Sequence, residues 1–139
     1  MSIVGPALRD ATVVDLFAGS GALGLEALSR GAAVAHFVEY LPRSFATLRE
    51  NVRALNAGDR VVLHRADALK FVGKLEADAF DIAFADPPYR MGHAQRLADA
   101  WAAIPFARVL GIEHERDVSL PGADRREYGD TVVSFLRVP

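Results

Sequence analysis

Apolar residues along the chain fall into two alternating rhythms. Short continuous runs of buried-strand type are separated by stretches in which apolar positions return every three or four residues, so strands alternate with helices. Val13, Val14, Leu16 and Phe17 make the first run and predict a strand over 12–17. Ala33 to Val38, Arg60 to His64, Phe80 to Ala85 and Ala107 to Glu113 supply four more. Leu23 to Arg30 is a mostly apolar helix that stops near Gly31, a usual C-terminal position. Leu41, Phe45, Leu48, Val52 and Leu55 recur at helical spacing, which predicts an amphipathic helix with Pro42 in its first turn and Gly58 beyond its end. Further helices are expected over 68–75 and 91–103, the second with Leu97, Ala100, Trp101 and Ile104 on its inner face. Arg125 to Tyr128 and Thr131 to Val138, joined through Gly129 and Asp130, read as a closing hairpin. Met1 to Asp10 is too short for more than an arm or a helical turn.

This alternation predicts a single Rossmann-like α/β domain over 1–139. Its mostly parallel sheet has about seven strands, helices on both faces and one antiparallel strand at the edge. A chain of 139 residues, 51% apolar and 24% charged, buries a core without staples and is not disordered. Cysteine is absent, which excludes disulfides, thiol nucleophiles and cysteine-held metals. No apolar run reaches the ~18 residues of a membrane span, and the first residues lack a signal pattern, so a cytoplasmic enzyme is expected. The net charge of −2 announces no nucleic-acid partner, so any such contact has to rest on a local patch.

The chemistry concentrates at predicted strand ends. Gly19, Gly21 and Gly24 follow the first strand in the spacing G-x-G-x-x-G and precede a helix. Such a turn brings backbone N–H groups and a positive helix end towards a nucleotide-like ligand. Dinucleotide enzymes share the spacing, so the glycines alone leave a nicotinamide dehydrogenase open. Asp15, four residues before Gly19, changes the balance, because a carboxylate in a buried strand needs a partner. Glu39 ends the second strand eighteen residues beyond Gly21, close to the ~20-residue interval at which Rossmann-type folds offer a carboxylate to ribose hydroxyls. Asp67 and Ala68 follow the third strand, and Asp67 also suits the N-cap of the next helix. The fourth strand runs into Asp86-Pro87-Pro88-Tyr89, a loop stiffened because each proline fixes its own φ and restricts the residue before it.

Asp15-Leu16-Phe17-Ala18-Gly19-Ser20-Gly21 resembles motif I of class I S-adenosylmethionine-dependent methyltransferases, and Asp86-Pro87-Pro88-Tyr89 resembles the [DN]-P-P-[YFW] signature of amino-methyltransferases. The resemblance implies S-adenosyl-L-methionine as cofactor. It gives Asp15 the amino end of the methionine moiety, Phe17, Gly19 and Gly21 the motif I turn, Glu39 the ribose, and Asp67 with the Ala68 N–H the adenine. Asp86 and the Pro87 carbonyl would accept from an exocyclic amine held flat against Tyr89. The sulfonium donor is already electrophilic, so no metal is required.

The run from Asp15 to Ala32, the segment Phe84 to Tyr89 and the tail Arg126 to Thr131 look like the bacterial small-subunit ribosomal RNA guanine-N2 methyltransferases. That implies guanine N2 of 16S rRNA as acceptor and the assembling small subunit as partner. The chain departs from that family in lacking its basic N-terminal segment of about forty residues and in a short stretch between Arg108 and Tyr128, both where substrate is read. Adenine N6 of DNA or RNA, and a cofactor-binding remnant that needs a partner, remain the alternatives, and oligomeric state is open. Arg43, Arg49 and Arg53 are expected on the solvated side of their helix. Trp101 is expected in packing, and Arg90 and His93 against phosphate or solvent. Glu113-His114-Glu115 is not expected to gather one ion, because alternate strand residues point to opposite faces.

Overall fold

A computed structural model describes residues 6–139; the first half of the expected N-terminal arm, residues 1–5, lies outside them. Pro6–Leu8 form one 3-10 turn that buries Leu8. Seven strands follow: β1 (Thr12–Leu16), β2 (Val34–Val38), β3 (Val61–His64), β4 (Phe80–Ala85), β5 (Ala107–His114), β6 (Asp124–Tyr128) and β7 (Thr131–Arg137). They share one sheet in the order β3-β2-β1-β4-β5-β7-β6. The first five are parallel, and β7 runs antiparallel to both β5 and β6. The antiparallel strand is therefore not at the edge, as the sequence pattern suggested. The hairpin folds back so that the apolar β7 is covered on both sides, while β6, Asp-Arg-Arg-Glu-Tyr, carries its charges to the rim. A charged edge strand resists pairing with other chains.

Helices α1 (Ala22–Ser29), α2 (Pro42–Ala54), α3 (Ala68–Val72) and α4 (His93–Ala103) cover the two faces in pairs. Ala27 and Leu28 of α1 and Leu48 and Val52 of α2 pack with Val13, Phe37 and Phe84 on one side. Ala68 and Val72 of α3 and Ala94, Leu97 and Ala98 of α4 pack with Val14, Leu16 and Leu110 on the other. Central strands are buried on both faces and so read as continuous apolar runs. Three expected inner-face residues turn outward: Leu41, Leu55 and Ile104 are exposed, because each lies at or just beyond a helix end, where the face has left the sheet. Trp101 stays partly buried and its indole N–H donates to the Ala107 carbonyl at 2.8 Å, which accounts for it as packing.

The parallel order reverses between β1 and β4. Chains leaving these neighbouring strands run to opposite faces, which opens a crevice at the strands' carboxyl ends. Asp15 and Asp86 lie at that end.

Candidate active site

The turn after β1 is pinned to β2. Ala18 N–H donates to the Val38 carbonyl at 3.0 Å, and Gly19 N–H donates to Glu39 Oε1 at 2.7 Å. Glu39 Oε2 accepts from Leu41 N–H at 2.8 Å, so one carboxylate joins the glycine turn to the entry of α2. Phe17 takes φ +57, a left-handed conformation unusual for an aromatic residue, and sets its ring edge-on to His93 at 5.5 Å between centroids. His93 is thus half-buried in packing against Phe17, with Nδ1 buried and unpartnered among the described residues.

The three motif glycines divide their work. A Cβ on Gly24 would stand 2.3 Å from Phe37 Cε1, and one on Gly21 2.5 Å from Leu48 Cδ1, so these two glycines let α1 and α2 close on the sheet. A Cβ on Gly19 would meet nothing within 4 Å; this is the glycine that faces open space.

A cavity of about 440 Å³ opens beside this turn, a volume suited to a nucleoside-sized ligand. Of the residues expected to hold a cofactor, Phe17, Glu39, Asp67 and Ala68 line it, joined by Asp86 and Pro88. Tyr40, Leu41 and Met91 complete the apolar rim and were not anticipated. Its spacing places Leu41 on the inner helix face; lying one residue before α2, it lines the cavity instead. Asp67 also caps α3, its Oδ1 accepting from Lys70 N–H at 3.1 Å, which leaves its second oxygen uncommitted to the cap.

Asp15 stands behind the turn, 2% exposed, with Oδ2 accepting from Gly24 N–H at 3.0 Å. Burial, reinforced by the nearby charges of Asp86 and Glu39 and opposed by the Gly24 amide, raises its pKa from 3.8 to about 7. Three acids from the ends of β1, β2 and β4 thus feel one another's charge, with Glu39 and Asp86 in the cavity wall and Asp15 buried behind it. Such an arrangement favours a ligand that brings positive charge.

The loop after β4 serves two cavities. Asp86 and Pro88 face the first, whereas Tyr89 lines a second of about 440 Å³ together with Arg90, Glu115, Arg116, Asp117 and Asp130. Pro87 between them is buried. Tyr89 is 48% exposed, and its hydroxyl pKa is raised by desolvation and by the charges of Glu113, Asp86 and Glu115. Sequence reasoning missed Glu113. Its neighbour His114 turns into the core and meets Ser134 Oγ at 2.7 Å, while Glu113 turns towards Asp86. No local sequence signal marks it: Ala85 pairs with Ile112 in the sheet, so the residues that follow each become neighbours only on folding.

A sheet ordered this way, with its crevice at the β1/β4 reversal, is the Rossmann-like architecture of class I S-adenosylmethionine-dependent methyltransferases. The solved RNA methyltransferase of Salinibacter ruber in complex with S-adenosyl-L-homocysteine matches 100% of this chain and 92% of its own at a TM-score of 0.73. With 13% identity, that likeness is one of fold alone. The chain belongs to the family described as conserved hypothetical protein 95, whose model matches residues 1–137. A hypothetical protein of Thermus thermophilus superposes with a TM-score of 0.82 at 32% identity, over 97% of this chain and 79% of that one. The ribosomal RNA small subunit methyltransferase D of Escherichia coli K12 is 42% identical over 123 residues, 85% of this chain and 60% of that protein. The chain spans about three fifths of the length of the relatives that carry this name.

Proposed function

We propose that the chain, as one domain over 1–139, transfers a methyl group from S-adenosyl-L-methionine to an exocyclic base amine. The acceptor we infer is guanine N2 of 16S rRNA in the assembling small subunit, in the cytoplasm. The observation that carries the transfer reading is the division of one rigid loop between two cavities. Asp86 and Pro88 face a cavity ringed by acids, and Tyr89 faces its neighbour. The ribosomal RNA acceptor is supported by the names of the relatives, and the guanine by the resemblance of the run from Asp15 to Ala32.

The residues fit the cofactor. Asp15, Glu39 and Asp86 offer negative charge to its ammonium and sulfonium, Gly19 leaves room above the turn, and Asp67 with the Ala68 N–H suits an adenine edge. When bound, the cofactor supplies a methyl group to the amine nitrogen, its S–CH3 bond breaking with the electron pair left on sulfur. The protein's task is to make a poor nucleophile available. An aromatic amine delocalises its lone pair into the ring, and acceptors on its N–H groups draw it towards tetrahedral geometry. Asp86 and the Pro87 carbonyl are those acceptors, and Asp86 takes the proton the nitrogen gives up before passing it to water. Tyr89 holds the base plane by stacking, as single-stranded or flipped bases require.

The test is incubation of the chain with methyl-labelled cofactor and unmodified small subunits, followed by nucleoside analysis. Label on guanine N2, abolished by Asp86→Ala with cofactor affinity nearly intact, is the expected result. Label on adenine N6 would replace the acceptor, and an active Asp86→Ala chain would refute the loop's role.

A further inference from the structure

The register Ala85 with Ile112 sets Asp86 and Glu113 side by side at the rim of β4 and β5, each the residue that follows a paired one. Two ionised carboxylates at such a place repel each other and have no donor between them, whereas one that keeps its proton can donate it to the other. We propose that Glu113 is a positioning residue for Asp86, donating its proton to one Asp86 oxygen so that the other is held free for the acceptor amine. The inference rests on the transfer reading given above.

The surroundings decide which acid carries the proton. Burial first, then the hydrogen bond to Asp86 and its charge, raise the Glu113 pKa from 4.5 to about 7. Glu115, two residues further on, is treated oppositely: its Oε2 accepts from Arg90 N–H at 2.6 Å, and that donation lowers its pKa. Glu115 therefore stays ionised and turned to the backbone of Arg90. The groups around Glu113 are Asp86 and Tyr89 from the loop after β4 and Glu115 from its own strand, while Val133, opposite on β7, is uncharged. No cation in this set competes for the Asp86 oxygens. Asp86 itself is exposed on its loop, so a donor beside it is what would fix the rotation of its carboxyl group. Once Glu113 ionises, the bond becomes a like-charge contact and Asp86 is pushed out of line. The pair is intact below about pH 7 and lost above it.

Two measurements on the full chain test this. In a carbon-13 NMR titration of the glutamate carboxyl groups, Glu113 is expected to titrate near pH 7 and to move down in Asp86→Ala; a midpoint near 4.5 in the unsubstituted chain would overturn the proposal. In initial-rate profiles on unmodified small subunits, the rate should fall about tenfold per pH unit above the Glu113 midpoint. Glu113→Gln, whose amide donates at every pH, should stay active and lose that limb. Glu113→Ala should lose roughly 10- to 100-fold at about pH 6.5, the scale of one misplaced catalytic contact. An Ala variant with the parent rate and profile would also overturn the proposal. Absence of transfer by the parent chain itself would count against the methylation reading, and the titration would then decide the Glu113–Asp86 pair by itself.

Discussion

Asp15 Oδ2 lies 3.0 Å from the Gly24 amide nitrogen, a contact that ties the end of β1 to the first turn of α1. The carboxyl is buried deeply enough that its folded-state pKa stands at about 7, against 3.8. A folded pKa above the unfolded one means that folding binds a proton, so this stabilisation is full below pH 3.8 and is lost as pH rises through about 7. Stability without ligand is therefore expected to fall between about pH 4 and pH 7. Asp15→Asn, which keeps an acceptor for Gly24 and cannot ionise, should flatten that fall and stabilise the chain at about pH 8 by up to roughly 4 kcal/mol, an upper bound for a shift of about three pKa units. Urea unfolding of both chains at pH values on either side of that window measures this. Parallel pH responses would refute the buried proton.

A cationic ligand reverses the preference of Asp15. An ammonium beside it favours the ionised form, so binding at about pH 6 should expel a proton. Affinity for S-adenosyl-L-methionine is expected to rise with pH, by at most about tenfold per unit below about pH 7, and to level off above it. Calorimetric titration on the acid side of that midpoint, in buffers of different ionisation enthalpy, should show close to one proton released per ligand. In Asp15→Asn the release should shrink and affinity should fall. Unchanged proton release in that variant would mean that another group meets the ammonium.

Much of this site was legible because motif I and the loop after β4 combine local rules. A strand period, a glycine turn and two prolines each act over a few residues, and Glu39, Asp67 and Asp86 fell at strand ends for the same reason. What escaped is what depends on neighbours distant in sequence. Glu113 meets Asp86 only because β4 and β5 pair in one register. Gly21 and Gly24 owe their smallness to Leu48 and Phe37, a spatial demand that the spacing G-x-G-x-x-G does not distinguish from ligand approach. The position of β7 inside β6 was missed because hairpin patterning fixes adjacency, not which strand faces β5.

Glu39 offers a direct separation of structural from ligand roles. Its two oxygens accept from the Gly19 and Leu41 amides at 2.7 and 2.8 Å, and each retains a further lone pair that a ligand in the cavity can use. Glu39→Ala leaves both amides without that partner and is expected to cost about 2–4 kcal/mol, the scale of two hydrogen bonds to a charged group partly replaced by water. Glu39→Gln keeps one acceptor and should recover about half of that. Titration with S-adenosyl-L-homocysteine should show both variants weakened at least about tenfold if the carboxylate also holds the ribose. A Gln variant that loses stability but binds normally would confine Glu39 to bracing the turn.

Gly24 and Phe37 set how closely α1 approaches the sheet, and their contact predicts a substitution that harms folding without touching the cavity. A Cβ on Gly24 would meet Phe37 Cε1 at 2.3 Å and Cζ at 2.7 Å, and the ring is fully buried, so it has little room to yield. Gly24→Ala is expected to cost about 1–3 kcal/mol by overpacking. Phe37→Leu alone should also destabilise, yet the double variant should be more stable than the two losses added, because the smaller side chain accepts the methyl group. Gly19→Ala is the contrast. Its Cβ would enter open space, so the cost is the backbone strain at φ +56, roughly 1–2 kcal/mol, and the larger loss should appear in cofactor affinity. Denaturant unfolding and calorimetric binding on the four variants separate the two effects, and purely additive losses at Gly24 and Phe37 would show that α1 is not seated on that ring.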